Sequence, residues 1–388
     1  MLNKPIINLA RPVKALSPAD SAARAAGLLR AGGVSALPVV DNGRVIGVVS
    51  EASVLRAIAE AVREGQAASA SEVPIAGAIH SQVAFAHRDM TIGQVADVFS
   101  SSDEDALPIV DDFGGFYGVV TRSDVLGFLA GSLRPSNVAG MATPLGVYLT
   151  NGSVRAGAGN LGLFLSGVML GLCMLAAIVV VWCLAVGIES FTHIPARALL
   201  EGRAPVANWF YAAQWLPPVL IIVLIMTAIR LSPLSGYHAA EHMTVHAIEV
   251  GEELTPEIVS EMPRVHARCG TNLLAGASVF LVITGSFSSD VAVLIAFMVV
   301  ILGWRAVGGY IQRVATTKPP SSRQLENGLR AGKELIARFQ EQPNYQAYGL
   351  ARVWNTGILQ SMGGLAFVFA VSNLLSRIFH FTPLLLGV

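Results

Sequence analysis

"ALPVVDNGRVIGVVS" at residues 36–50 returns as "ALPIVDDFGGFYGVVT" at residues 106–121, with one extra residue in the turn. Such self-similarity marks two copies of one supersecondary unit. In each copy two short Val/Ile-rich runs flank turn-forming residues, Asp41-Asn42-Gly43 in the first and Asp111 to Gly115 in the second. That pattern predicts a β-hairpin. Working outward, a helical pattern precedes each hairpin ("SAARAAGLLRAGG" and "TIGQVADVFSSS") and another helix start follows it ("EASVLRAIAEAV" and "RSDVLGFLAG"). The order is helix, strand, strand, helix, twice.

These units resemble a tandem pair of CBS domains, a Bateman module, over about residues 8–132. The resemblance implies an α+β regulatory domain that binds an adenine nucleotide (AMP, ADP or ATP) in the cleft between the copies. The family's ribose signature is a Ser or Thr after the second strand with Asp three residues on. Thr121 and Asp124 supply it in the second copy, while the first has Ser50 followed by Ser53. Ser50, Thr121 and Asp124 are thus the nucleotide-binding candidates, and homodimerisation through the CBS domains is expected. Asp124 is equally the residue a helix start favours for capping and dipole reasons.

Composition bounds the rest. Of 388 residues, 53% are hydrophobic and 13% charged, against roughly 25% charged in soluble domains. A partly membrane-embedded protein is expected. The 26 basic and 26 acidic residues give no basic excess of the kind a nucleic-acid binder carries, so no nucleic-acid partner is expected. Cys173, Cys183 and Cys269 are too few and too scattered for a disulfide framework. The segment "MLNKPIINLARPVKALS" lacks the apolar core of a secretory signal, which predicts a cytoplasmic first domain.

After Pro135 the pattern changes. Residues 161–187 carry no charge and are long enough to cross a hydrocarbon core of about 30 Å as a helix. A second candidate runs from Trp209 to Ala228 with Pro217-Pro218 inside it, predicting a kink or a broken helix. Residues 270–303 read as a helical hairpin turning at "GSFSSD", and 358–374 as a fifth span or a helix packed on the bundle. The expectation is an all-α polytopic domain of 4–5 transmembrane helices in the lipid bilayer of an inner (cytoplasmic) membrane. Arg155, Arg230, Arg264 and Arg268, with the group from Arg305 to Lys333, fall on the side of the N-terminal domain, as basic residues do on the cytoplasmic side. The loop 189–208, where Arg197 and Arg203 are offset by Glu189 and Glu201, fits the outer side.

"YHAAEHMTVH", residues 237–246, carries three histidines and a glutamate. On a helix His238, Glu241 and His242 share one face, with His246 a turn further. Two histidines four apart can direct ring nitrogens to one zinc ion beside a carboxylate that acts as base or ligand. The string HxxEH is the reversed zinc-protease signature, short enough to arise by chance. Thr255-Pro256-Glu257 then predicts a new helix carrying "RVHARCGTN", with His266 and Cys269 on one face. His238, His242 and His266 are the metal-ligand candidates, for a divalent cation, zinc by preference, and Glu241 is the catalytic candidate. The bland alternative is a solvated or hydrogen-bonded histidine face. His80, His87, His193 and His380 stand alone and are read as structural. The stretch from Tyr237 to Thr271 resembles the YqhQ-like family of bacterial membrane proteins, over about residues 137–340. Its pattern matches here at His238, Glu241, His242, Glu249, Glu252, His266, Arg268, Cys269 and Gly270. The resemblance implies a domain of unknown function for which metal dependence is suggested. Glu326, on a predicted amphipathic helix over 316–340, also belongs to that pattern, and a surface salt bridge is its preferred reading.

The expected organisation is a regulatory CBS pair at 1–135, a YqhQ-like transmembrane domain at 136–345 with a cytoplasmic His-rich hairpin at 232–270, and a C-terminal apolar segment at 346–388. The function expected is CBS-regulated, metal-dependent hydrolysis at the cytoplasmic membrane face. A CBS-gated transporter or channel and a non-catalytic membrane scaffold are the alternatives.

Overall fold

The structure is a computed structural model that describes residues 2–65, 69–200, 213, 216–287 and 289–379. The start of the second candidate span at Trp209, the loop residues Glu201 and Arg203, and His380 lie outside the described residues. The chain divides into two compact units, residues 1–134 with 339–346, and residues 135–338 with 347–388.

In the first unit both copies of the repeat fold alike. Helix α1 (Ala22–Gly32) leads into strands β1 (Ala36–Asp41) and β2 (Arg44–Ser50), then α2 (Glu51–Arg63). The second copy has a two-residue strand β3 (Ala86–His87), then α3 (Ile92–Ser101), β4 (Ala106–Val110), β5 (Phe116–Thr121) and α4 (Arg122–Leu129). β1 and β2 pair antiparallel, as do β4 and β5, and β3 joins β4 in parallel. The first turn works because Asn42 (φ 46°) and Gly43 (φ 80°) both adopt left-handed geometry, as a tight two-residue hairpin needs. In the second turn the Asp111 carboxylate accepts from the N–H groups of Phe113 and Gly115. α2 and α4 begin alike: Ser50 and Thr121 cap the third helical N–H, and Ser53 and Asp124 reach back to the cap residue's own N–H. This reciprocal box satisfies donors that a helix start otherwise leaves orphaned. Each copy has its own apolar core, on Leu37, Val39 and Val49 in one and Leu107, Ile109 and Val120 in the other.

The second unit is helical, as expected, with one addition. Ahead of the first span the chain forms an antiparallel sheet in the order β6 (Ala139–Thr143), β7 (Gly146–Thr150), β8 (Arg155–Gly157). Every residue of β7 is buried, so its sequence shows none of the alternation that reveals a half-exposed strand. Next come α5 (Asn160–Thr192), α6 (Leu216–Leu231), α7 (Leu234–Val250) and the short α8 (Pro256–Glu261). They are followed by α9 (Gly270–Ser286), α10 (Asp290–Ile311), α11 (Ser322–Glu341), α12 (Gly349–Asn355) and α13 (Ile358–Ile378).

Among the described residues three helices are long and apolar enough to cross a membrane, α5, α10 with its extension to Thr316, and α13. α6 and α7 qualify only as a pair bent by 75°, and α9 is shorter. A break falls between α6 and α7, at Ser232-Pro233, while the kink expected at Pro217-Pro218 turns on residues 214–215, which lie outside the described residues. α5 and α13 meet backbone to backbone: a Cβ at Gly167 would overlap the Ser361 carbonyl, and one at Gly364 the Phe164 carbonyl. Small residues at a crossing allow that approach between apolar helices. α7, by contrast, is packed in protein. Ala239, Met243 and Ile248 share a core with Val147 and Leu149 of the sheet and with Leu325, Leu329 and Leu335 of α11. The apolar stripe of α11 is thus buried, while Glu326 stays exposed beside Arg323 and Arg330.

Candidate functional site

α7 places His238, Glu241 and His242 on one face, as its periodicity predicts. The helix expected to carry "RVHARCGTN" does not form: α8 ends at Glu261 and Pro263 follows two residues later, and proline cannot continue a helix. Residues 265–269 instead run as a loop, and Cys269 becomes the N-cap of α9, its sulfur accepting from the Thr271 N–H. A buried amide lattice holds the loop. Gln312, fully buried at the start of the π-helical extension of α10, accepts from the His266 N–H (2.9 Å) and donates to the Asn272 side-chain oxygen (2.6 Å) and the His266 carbonyl (3.2 Å). Asn272 donates in turn to the Ala267 carbonyl (2.8 Å).

The loop delivers a thiol, and not the third imidazole, to the helix face. His238 Nε2 lies 3.4 Å from Cys269 Sγ, and the rings of His238 and His242 stand 4.4 Å apart. One donor atom each from His238, His242 and Cys269 all fall within 4.8 Å of one another. His266, expected as the third ligand, has its ring 5.7 Å from that of His242 and turns Nε2 toward Glu249 at 3.5 Å. Its ring packs edge-on against His246, which faces the Val265 carbonyl. Arg268 closes this second group with an ion pair to Glu249 and a bond to the Val138 carbonyl.

The ring nitrogens away from the cluster decide what the near ones can do. His238 Nδ1 faces the Thr316 carbonyl at 3.1 Å and His242 Nδ1 faces the Arg264 carbonyl at 2.7 Å. A carbonyl only accepts, so each Nδ1 carries the hydrogen and each neutral ring keeps its Nε2 lone pair free. An Nδ1–H bound to a carbonyl is the outer-shell arrangement that orients metal-ligating histidines. Burial reinforces neutrality, pushing the His242 pKa down to about 2, and the neighbouring His238 acts in the same direction. His266 is also lowered, by burial first and by His246 next. Glu241 is 5% exposed, and burial raises its carboxyl to about 8 despite the opposing influence of His238. Its carboxylate sits 3.5 Å from His242 Nε2 and directly against β6, where a Cβ on Gly140 would collide with it. Burial also raises the Cys269 thiol. A cavity of about 570 Å³ opens on these groups and continues between α5 and α13, lined by Leu170, Met362 and Leu365.

In the first unit the nucleotide candidates are already engaged. Arg11 donates to both oxygens of Asp124, the closest contact at 2.6 Å. Thr121 donates to the same carboxylate at 2.7 Å, and Ser50 caps α2 with Ser53 as its reciprocal partner. Arg11 is the residue that sequence reasoning missed: 113 positions separate it from Asp124, and no local pattern links them.

Comparison with known proteins agrees with this division. The CBS domain family matches residues 6–60 and 75–131. A family described as a protein of unknown function, DUF1385, matches residues 170–309. Among solved structures the chain is similar to protein MJ1225 of Methanocaldococcus jannaschii, at 22% identity over 33% of this chain and 48% of that one, with a TM-score of 0.30. It thus spans about half the length of that protein. It is similar to the CBS-pair protein CBSX2 of Arabidopsis thaliana, at 19% identity over 33% of this chain and 95% of that one, with a TM-score of 0.29. It is also similar to the CBS domain of a membrane protein from Sphaerobacter thermophilus, at 25% identity over 32% of this chain and 88% of that one, with a TM-score of 0.27. CBSX2 is known in complex with AMP. No curated protein matches the chain. The chain is therefore a tandem CBS pair followed by a DUF1385 region with apolar helices, which fits a CBS-regulated membrane protein.

Proposed function

We propose that the His238–His242–Cys269 cluster holds a divalent cation and that the protein is a hydrolase acting at the membrane surface, under control of an adenine nucleotide bound by the CBS pair. The observation that carries this reading is the pair of Nδ1–H groups on backbone carbonyls, which leave two neutral Nε2 atoms and a thiol converging on one point. Two imidazoles and a thiolate suit zinc, and three protein ligands with an open position are its catalytic arrangement. Bound there, zinc would supply Lewis acidity and a water of lowered pKa. In its ionised form Glu241 would take the proton from that water and return it to the leaving group. His266, Glu249 and Arg268 would support the loop that presents Cys269. Basic residues near the helix ends, Arg230, Arg264 and Arg268 among them, support an orientation with the site and the CBS pair on the cytoplasmic side of an inner membrane. Nucleotide can regulate only by binding two conformations unequally.

Elemental analysis of the purified full chain tests the cluster. We expect one zinc per chain in the wild type and in His266→Ala, with at least a tenfold loss, about what one outer-shell group is worth and less than a ligand, in His238→Ala and Cys269→Ala. Negligible metal in the wild type would remove the enzyme reading.

A further inference from the structure

Strand β6 is an edge strand, and its free edge faces the cavity that holds the cluster. The register fixes which backbone groups point there. Across β7, Val147 accepts from the Ala158 N–H on the β8 side, and Tyr148 stands opposite Met141 of β6. Alternate residues of a central strand bond to opposite neighbours, so Thr143, Met141 and Ala139 bond to β7. Val138, Gly140 and Ala142 then turn their N–H and C=O groups away from it. The side-chain contacts follow this alternation: Glu249 takes the Val138 N–H, Arg268 the Val138 carbonyl, and Ser166 the Ala142 carbonyl. Between these occupied ends, the N–H and C=O of Gly140 and the N–H of Ala142 have no partner among the described residues. They lie where Glu241 meets the strand, in a cavity that also bears His238, His242 and Cys269 and whose wall is otherwise largely apolar.

We propose that this cavity receives an extended peptide segment with apolar side chains, from a membrane-embedded or lipid-proximal polypeptide, which adds to β6 as a fourth strand at Gly140. An exposed strand edge binds extended peptides through main-chain hydrogen bonds, with pockets selecting alternate side chains. An acyl chain would fill the apolar space yet leave the Gly140 N–H and C=O cut off from water and unpaired. A peptide bond satisfies donor and acceptor together and brings an amide beside Glu241. In its hydrolysis the water oxygen bonds to the amide carbon and the C–N bond breaks. Glu241 carries one water proton to the departing nitrogen, leaving a carboxylic acid and an amine. The cleavage step rests on the cluster reading above; the strand addition does not.

The test is photo-cross-linking to the full chain in lipid nanodiscs. The probe is a synthetic Leu/Ala peptide bearing one photoactivatable residue, beside an analogue N-methylated at its central peptide bond. We expect labelling at residues 138–142, reduced about tenfold by N-methylation, the value of one to two hydrogen bonds. Ala142→Pro removes an outward N–H on an edge strand, where proline is tolerated, and should weaken labelling similarly while zinc content holds. Equal labelling by the N-methylated peptide, or its displacement by a long-chain fatty acid, would overturn the proposal in favour of a lipid occupant. N–H-dependent labelling in a chain that binds no zinc would retain strand addition and discard the cluster, whereas zinc without labelling would do the reverse.

Discussion

The Gln312 lattice allows a quantitative prediction. Gln312→Leu keeps the side-chain volume close to native but removes both polar atoms from a fully buried position. Two groups then lose their partners, the His266 N–H that donated at 2.9 Å and the Asn272 Oδ1 that accepted at 2.6 Å. The His266 carbonyl keeps its bonds from Asn272 Nδ2 and the Cys269 N–H. At about 1–2 kcal/mol for each orphaned group, the loop should open more easily by about 2–4 kcal/mol. That corresponds to roughly 30- to 700-fold faster exchange of the His266 amide, at a factor of ten per 1.4 kcal/mol. Hydrogen exchange read by mass spectrometry on peptides covering 264–272, in nanodiscs, measures it. Gln312→Leu combined with Asn272→Leu removes the stranded oxygen, so the double variant should fall short of the sum of the singles by about 1–2 kcal/mol. Exchange within threefold of wild type, or strict additivity, would refute the claim that this lattice positions the Cys269 loop.

Two further outcomes are expected. Gly364→Leu places a side chain against the Phe164 carbonyl and should part α5 from α13, lowering thermal stability in detergent by about 1–3 kcal/mol, whereas the open position Gly363 should accept alanine with little change; equal effects would contradict the backbone contact. Arg11 occupies the Asp124 oxygens that a ribose would need, so Arg11→Ala should tighten calorimetrically measured AMP binding by about three- to tenfold, the worth of one hydrogen bond. Unchanged or weaker binding would deny Asp124 a ribose contact.

The repeat was legible because its information is local. Asp41-Asn42-Gly43 dictates a turn geometry whatever surrounds it, and Ser50 and Thr121 cap helices within three residues. The helical face of His238, Glu241 and His242 was legible for the same reason. What escaped depends on partners distant in sequence. β7 is buried on both faces and so lacks alternation, and the 75° bend between α6 and α7 falls at Ser232-Pro233. His266 does not join His238 and His242 because Pro263 ends the helix that would have aligned it. Gln312, 46 residues away, then holds the resulting loop with Cys269 inward. The ring orientations were equally hidden, since the carbonyl that orients His238 belongs to Thr316, 78 residues on.

The two matching helix starts of the repeat differ in one atom group with a lasting effect. Ser53 and Asp124 do the same geometric task, yet only the carboxylate draws in a guanidinium. A duplication that began as two interchangeable halves is therefore electrically lopsided, with an acid–base couple at one half and a neutral hydroxyl at the other. Exchanging the two copies end for end would strand Arg11 opposite Ser53, so the order of the halves along the chain is no longer a matter of indifference.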